Sequence, residues 1–202
     1  MPQSQFDKIL EKIHVLQEQL EYELEIILDD KRLQFQYSLR RGRVIFDENI
    51  HEFQKQYRTG IWLYIGKANP VHILIAPVIY SVVVPMLLLD LFVFIYQHIC
   101  FRACKIPFVR RANYIVIDRQ HLKYLNAVER FNCMYCGYAN GLIGYVREVF
   151  ARTEQYWCPI KHARRVLNSH QRLDRFSDYG DASTYRDNLI KLRKQLQDDQ
   201  QS

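Results

Sequence analysis

Glycine and proline are scarce, at 7 and 6 residues of 202. So few exclude a collagen-like chain or a flexible linker. The chain is too short for a TIM barrel, or for a dinucleotide domain joined to a substrate domain. It has no internal repeat. The first 30 residues lack the basic-then-apolar pattern of a targeting peptide.

Charge is missing from one long stretch. Val71 to Phe101 reads VHILIAPVIYSVVVPMLLLDLFVFIYQHICF, 31 residues in which Asp90 is the only formal charge. The net charge of +6 and the mean hydropathy of −0.27 conceal this pattern. Residues 1–70 carry a net −1 and residues 176–202 a net −1, while residues 102–175 carry a net +9. The excess positive charge therefore lies in one block, directly after the apolar run.

A run of this length exceeds the roughly 20 residues a spanning helix needs. The competing reading is a buried core helix, which seldom continues so long without a polar face. Pro77 and Pro85 favour kinks, and Asp90 is expected to face protein or water rather than lipid. Two arrangements stay open: one kinked span, or a re-entrant hairpin bending near Pro85. Arg102, Lys105, Arg110 and Arg111 follow the run closely and read as basic residues facing lipid headgroups, whereas Lys67 is the only close basic residue before it. The positive-inside rule then places the C-terminal side in the cytoplasm of a bacterial cell, at the inner membrane.

Ahead of the run, Phe6, Ile9, Leu10, Ile13, Leu16, Leu20, Leu24 and Ile27 recur at steps of mostly three and four. That is a helical pattern, with Ser4 as a candidate cap. The helix either packs on its own domain or pairs as a coiled coil. Alternation at Leu33, Phe35, Tyr37 and Leu39, then Val44-Ile45-Phe46, suggests a short hairpin near 33–46, with a second helix as competitor. Residues from Asp47 read as helix with Ile50, Phe53 and Tyr57 on one face. Trp62, Tyr64 and Lys67 are typical of a membrane interface.

The segment NCMYCGYANGLIGYVREVFARTEQYWCPIKHA holds Cys133-x2-Cys136 and Cys158-x3-His162. A Cys-x2-Cys turn, eased by Gly137, presents two thiolates. With Pro159 starting a helix, Cys158 and His162 stand one turn apart on one face. Cys133, Cys136, Cys158 and His162 then form a Cys3His set suited to structural Zn²⁺. Iron or an iron–sulfur centre, a redox dithiol, a disulfide (which a cytoplasmic setting disfavours), or unligated thiols are the alternatives, and His170 is a substitute fourth ligand. Glu148 and Glu154 are ion-pair partners for Arg147, Arg152 or Lys161, or else ligands or a catalytic base. Cys100 and Cys104 read as small apolar residues of a helix end. Tyr135, Tyr138, Tyr145, Phe150, Tyr156 and Trp157 read mainly as a small core, or as a stacking surface for a ligand.

The strings CMYCGYANG and EQYWCPIKHA, with the preceding LLDLFVFIYQ and IPFVRR, resemble an uncharacterised bacterial membrane-protein family with a hydrophobic segment before a Cys/His block. The resemblance spans most of residues 75–180 and falls on Cys133, Cys136, Cys158 and His162. It implies that architecture and no activity.

A mainly α chain is expected: an N-terminal helical arm (1–70), a membrane segment (71–101), a basic Cys/His domain (102–175) and a C-terminal amphipathic helix (176–202). In that last helix Tyr185, Leu189, Leu192 and Leu196 share a face, for packing or self-association. The expected function is a zinc-stapled scaffold or adaptor bound to membrane lipids and a protein partner. A metal-dependent enzyme or electron carrier is the rival, and nucleic-acid binding through the basic block comes third.

Overall fold

The structure is a computed structural model, and it describes residues 5–35, 37–40, 43–46 and 48–198. Ser4 and residues 41–42 of the expected turn lie outside them. The protein is mainly helical with one small antiparallel hairpin. It divides into two compact units, Met1–Thr59 with His121–Asn126, and Gly60–Gln120 with Ala127–Ser202.

In the first unit, α1 (Gln5–Gln34) carries the expected period to its end. It runs seven residues beyond Ile27 because Glu25, Asp29 and Arg32 pair along its surface. Strands β1 (Tyr37–Arg40) and β2 (Arg43–Phe46) pair in the register Tyr37 to Phe46. Leu33 belongs to α1 rather than to the strand. The ring centroids of Tyr37 and Phe46 are 5.7 Å apart, a cross-strand pair of the kind that stabilises a hairpin. In α2 (Glu48–Gln56), the Gln54 side chain accepts a 3.0 Å bond from the Lys123 backbone N–H.

The second unit begins with α3 (Ile61–Lys67), then α4 (Pro70–Ser81) and α5 (Val83–Tyr96). Asn69 caps α4 by accepting from the Val71 N–H at 3.0 Å, with Pro70 in the first helical position. The two helices meet at Val82. Pro85 has no N–H to offer the Ser81 carbonyl four residues back, and the regular helix is interrupted at Val82 but continues in α5. Of the two sequence expectations, one continuous helical stretch is formed and the hairpin near Pro85 is not. One π turn (Gln97–Phe101) and α6 (Arg102–Cys104) complete a continuous helix from Pro70 to Cys104.

That helix ends in a two-bond cap. Lys105 adopts the left-handed conformation (φ 54°), its N–H reaches Arg102 O at 3.3 Å, and the Ile106 N–H reaches Phe101 O at 2.9 Å. The arrangement satisfies carbonyls the helix leaves open and joins Phe101 to Ile106, both buried. Buried Gln97 then holds the returning chain. Its amide accepts from Val109 N at 3.1 Å and donates to Val109 O at 3.3 Å.

Helix α7 (Ala127–Trp157) lies beside α5. Tyr80 bonds Asn132, Tyr138 bonds Asp90, and Tyr96 lies 3.0 Å from the Thr153 hydroxyl. The partners advance together, so the two helices run in the same direction. Between them Val93, Phe101, Ile106, Val109, Leu142, Tyr145 and Val149 form the core, closed by Leu196 of α8 (Tyr185–Asp198). Tyr145 is fully inside this core, and Tyr138 and Tyr156 pack at its edge. Phe150 and Trp157, expected in it, are exposed. In α8 the expected face is buried at Leu189, Leu192 and Leu196, within the same unit.

The strap from Tyr114 to Val116 crosses α7 where Gly137, Gly141 and Gly144 make a groove. A Cβ on Gly141 would stand 2.6 Å from Tyr114 O and 2.8 Å from Ile115 Cα. Gly137 is therefore not a turn residue. It sits inside a helix, and its missing side chain makes room for Val116 O.

Candidate functional site: a neutralised charge in the apolar helix

A carboxylate in an apolar helix demands a partner, because an isolated buried charge is costly. Asp90 turns toward α7 and the strap. Arg111 grips it with two bonds, Nε to Oδ1 at 3.2 Å and Nη2 to Oδ2 at 2.5 Å. The Tyr138 hydroxyl donates to Oδ2 at 3.0 Å. The Asp90 side chain is 15% exposed and that of Arg111 is 47% exposed. The hydrogen bond from Arg111 to Asp90 raises the guanidinium pKa above its ordinary value. Asp90 faces protein, as expected of a charge in such a run. Arg111, expected among the headgroup-facing residues, is instead turned inward to Asp90. Arg102, Lys105 and Arg110 are exposed near the end of the apolar helix.

A second polar network braces the other end of α7. Glu148 Oε1 accepts from Arg152 Nε at 2.8 Å and from Arg172 Nη2 at 3.0 Å. Arg152 also donates to Pro107 O at 2.8 Å, and Arg172 to Gln155 Oε1 at 2.8 Å. Buried Gln155 passes the connection to Leu192 O of α8. Glu154 lies 2.8 Å from His170 Nε2. Glu148 is thus an ion-pair partner of Arg152, as the sequence reading allowed, and also of Arg172, while Glu154 is hydrogen-bonded to His170; the sequence reading assigned neither Arg172 nor His170 to them. Arg147 instead donates to Asn168 O, and Lys161 pairs with Asp178 at 2.8 Å.

The Cys/His residues do not converge. Cys133 and Cys136 both lie inside α7, whereas Cys158 follows its last residue. At about 1.5 Å per residue the two half-sites are roughly 30 Å apart along one helix. Pro159 does not begin a helix. It stops one, having no N–H and disfavouring helical geometry at Cys158. Residues 158–162 form no helix: the Ile160 N–H turns back to Cys158 O at 2.8 Å and Ile160 is bridged to Ser177, so Cys158 and His162 share no helical face. Burial raises the Cys158 thiol pKa, and Glu154 adds to the effect. Among the described residues no three His, Cys, Asp or Glu side chains group closely enough to hold a metal ion. The donor set therefore does not fit a tetrahedral zinc or iron site in this structure.

Sequence reasoning missed Arg111 and Tyr138 as partners of Asp90, Gln97 as the clamp on Val109, and the glycine groove. The groove had a signal, since residues 137, 141 and 144 recur at helical spacing.

Outside the pair at Asp90, the apolar helix has little cover. Only 6% of its most apolar 18-residue stretch is buried. Leu87 is 54% exposed and Phe92 66%. It is the one helix among the described residues long and apolar enough to cross a membrane. Comparison of the chain with protein-family models, with characterised proteins and with solved structures finds no match.

Proposed function

We propose that the chain is a membrane-anchored scaffold or adaptor, held in the bilayer by the Pro70–Cys104 helix. One observation carries this reading. An apolar helix that served as a soluble core would be buried all round; this one buries one face toward its end, at Val93, Gln97 and Phe101, and only 6% of its most apolar 18-residue stretch is buried. Hydrocarbon is the surrounding that makes such a surface favourable. The stretch from Val71 to Phe92 is about 33 Å long at helical rise, close to the roughly 30 Å of a bilayer core.

Arg102, Lys105 and Arg110 at the end of the helix suit anionic lipid headgroups, each contributing about 1 kcal/mol near the surface. By the positive-inside rule that end faces the cytoplasm of a bacterial inner membrane. The two units supply surfaces for a protein partner, and α1 keeps an exposed apolar stripe through Ile9, Ile13, Leu16 and Leu20. Zinc is not part of the reading, because its expected ligands lie at opposite ends of α7.

The test places charge on the exposed surface. Val78→Lys with Val84→Lys, both exposed and near the middle of the Val71–Phe92 stretch, costs about 3 kcal/mol per lysine if the side chains lie in hydrocarbon, and almost nothing if they lie in water. The expected result is loss of the protein from the membrane fraction. A stable double variant with better solubility would refute the anchor.

A further inference from the structure

The sequence offered one membrane segment, and the packing of the second unit suggests more. Helix α7 has no formal charge from Phe131 to Val146, sixteen residues bounded by Glu129-Arg130 and Arg147-Glu148. The stretch is about 24 Å long, enough to reach through most of the roughly 30 Å of a bilayer's hydrocarbon. It lies directly against the apolar helix, joined to it by Tyr80–Asn132, by Tyr135 OH to Ile79 O at 2.9 Å and by Tyr138–Asp90. A bilayer around one therefore meets the other.

The outward residues agree. Phe131 is 54% exposed and Ile143 52%, with Met134 also exposed. Among polar side chains on the stretch, Asn140 bonds back to Cys136 O at 2.9 Å within its own helix. Local bonding of that kind is how polar groups are accommodated at membrane depth. The strap beside α7 is irregular backbone, tolerated in a membrane where protein covers it. The Gly137–Gly141–Gly144 groove gives that cover by admitting the strap backbone to close range. Arg111, three residues before the strap, is paired with Asp90.

Resting on the anchor reading, we propose that Phe131–Val146 of α7 is itself embedded in lipid hydrocarbon, so that the membrane part of the protein is a packed two-helix body with the Asp90–Arg111 pair at its headgroup edge. The exposed face of this stretch is then occupied by acyl chains rather than by water or a second protein.

Wild-type protein in phosphatidylcholine vesicles with a photoactivatable diazirine in the acyl chain provides the test. Trypsin cuts after Arg130 and after Arg147, which releases residues 131–147 as one peptide, and residues 68–102 as another. After illumination and mass spectrometry, lipid adducts are expected on both peptides. Peptide 187–191, which carries exposed Ile190 outside this region, should have none. Adducts on 68–102 without any on 131–147 would overturn the proposal and leave the anchor standing. No adduct on 68–102 would overturn the anchor and the proposal together. Equal labelling of 187–191 would make the labelling unspecific and also count against the proposal.

Discussion

Breaking the Asp90–Arg111 pair from either side should have unequal consequences. In Asp90→Ala, Arg111 loses two charge-assisted bonds, but nearly half its side chain already reaches the surface. Its charge is readily resolvated. Tyr138 loses its acceptor, so the total cost is about 2 kcal/mol. In Arg111→Ala, the Asp90 carboxylate stays in an apolar helix at 15% exposure with only the Tyr138 hydroxyl. Stranding one partner of a buried pair costs more, about 3 to 4 kcal/mol. The double variant leaves no charge behind and should cost about 2 kcal/mol, less than the sum of the singles. Thermal unfolding in one detergent or nanodisc preparation reads the difference, at about 2–4 °C per kcal/mol for a chain of this size. Arg111→Ala should then melt roughly 10 °C below the wild type, and Asp90→Ala about half as far. Additive effects, or a greater loss in Asp90→Ala, would refute the idea that Arg111 exists to neutralise Asp90.

Other outcomes follow from the packing. Gly141→Ala should lose at least about 2 kcal/mol by the same melting assay, since its methyl meets strap backbone, which does not move aside cheaply. Gly66→Ala in α3, with nothing within 4 Å, should be neutral or gain about 0.5–1 kcal/mol. Lys105→Gly should stabilise by up to about 1 kcal/mol, because Lys105 holds a left-handed cap conformation that glycine adopts freely. Bonds from Thr184 and Ser183 hold the Asp181 carboxyl below its ordinary pKa. Its support for the start of α8 is intact above about pH 4 and is lost as pH falls through the lower folded value. Amide protection in the first turn of α8, corrected for the intrinsic pH dependence of exchange, should fall over that acid range, and in Asp181→Ala it should be at the lower level at every pH. A strong chelator should leave the melting temperature unchanged, and Cys133→Ser should remain folded, because the four expected ligands do not meet.

Much of the fold was legible because periodicity and absence of charge are local signals. The α1 stripe, the alternation into the hairpin and the 31-residue apolar run needed no knowledge of distant contacts. That Asp90 turns to protein was also legible, since hydrocarbon leaves it little choice. Its partner was not, because Arg111 is brought there by the Lys105 cap and the Gln97 clamp, both tertiary features. The Cys-x2-Cys spacing was the most misleading local signal. Two ligands in a metal turn stand three positions apart, and three positions are also most of a helical turn. The deciding pattern was the recurrence of Tyr138, Leu142, Tyr145 and Val149 at four, three and four, the buried face of α7. Pro159 was ambiguous for a similar reason, being equally at home just inside a helix start and just past a helix end.

The central claim is that the exposed apolar helix lies in a membrane. It is tested most directly by fractionating cells that express the full chain. Washes with high salt and then alkaline carbonate should leave the protein in the pellet, and detergent should release it. Release by salt or carbonate alone would contradict the claim.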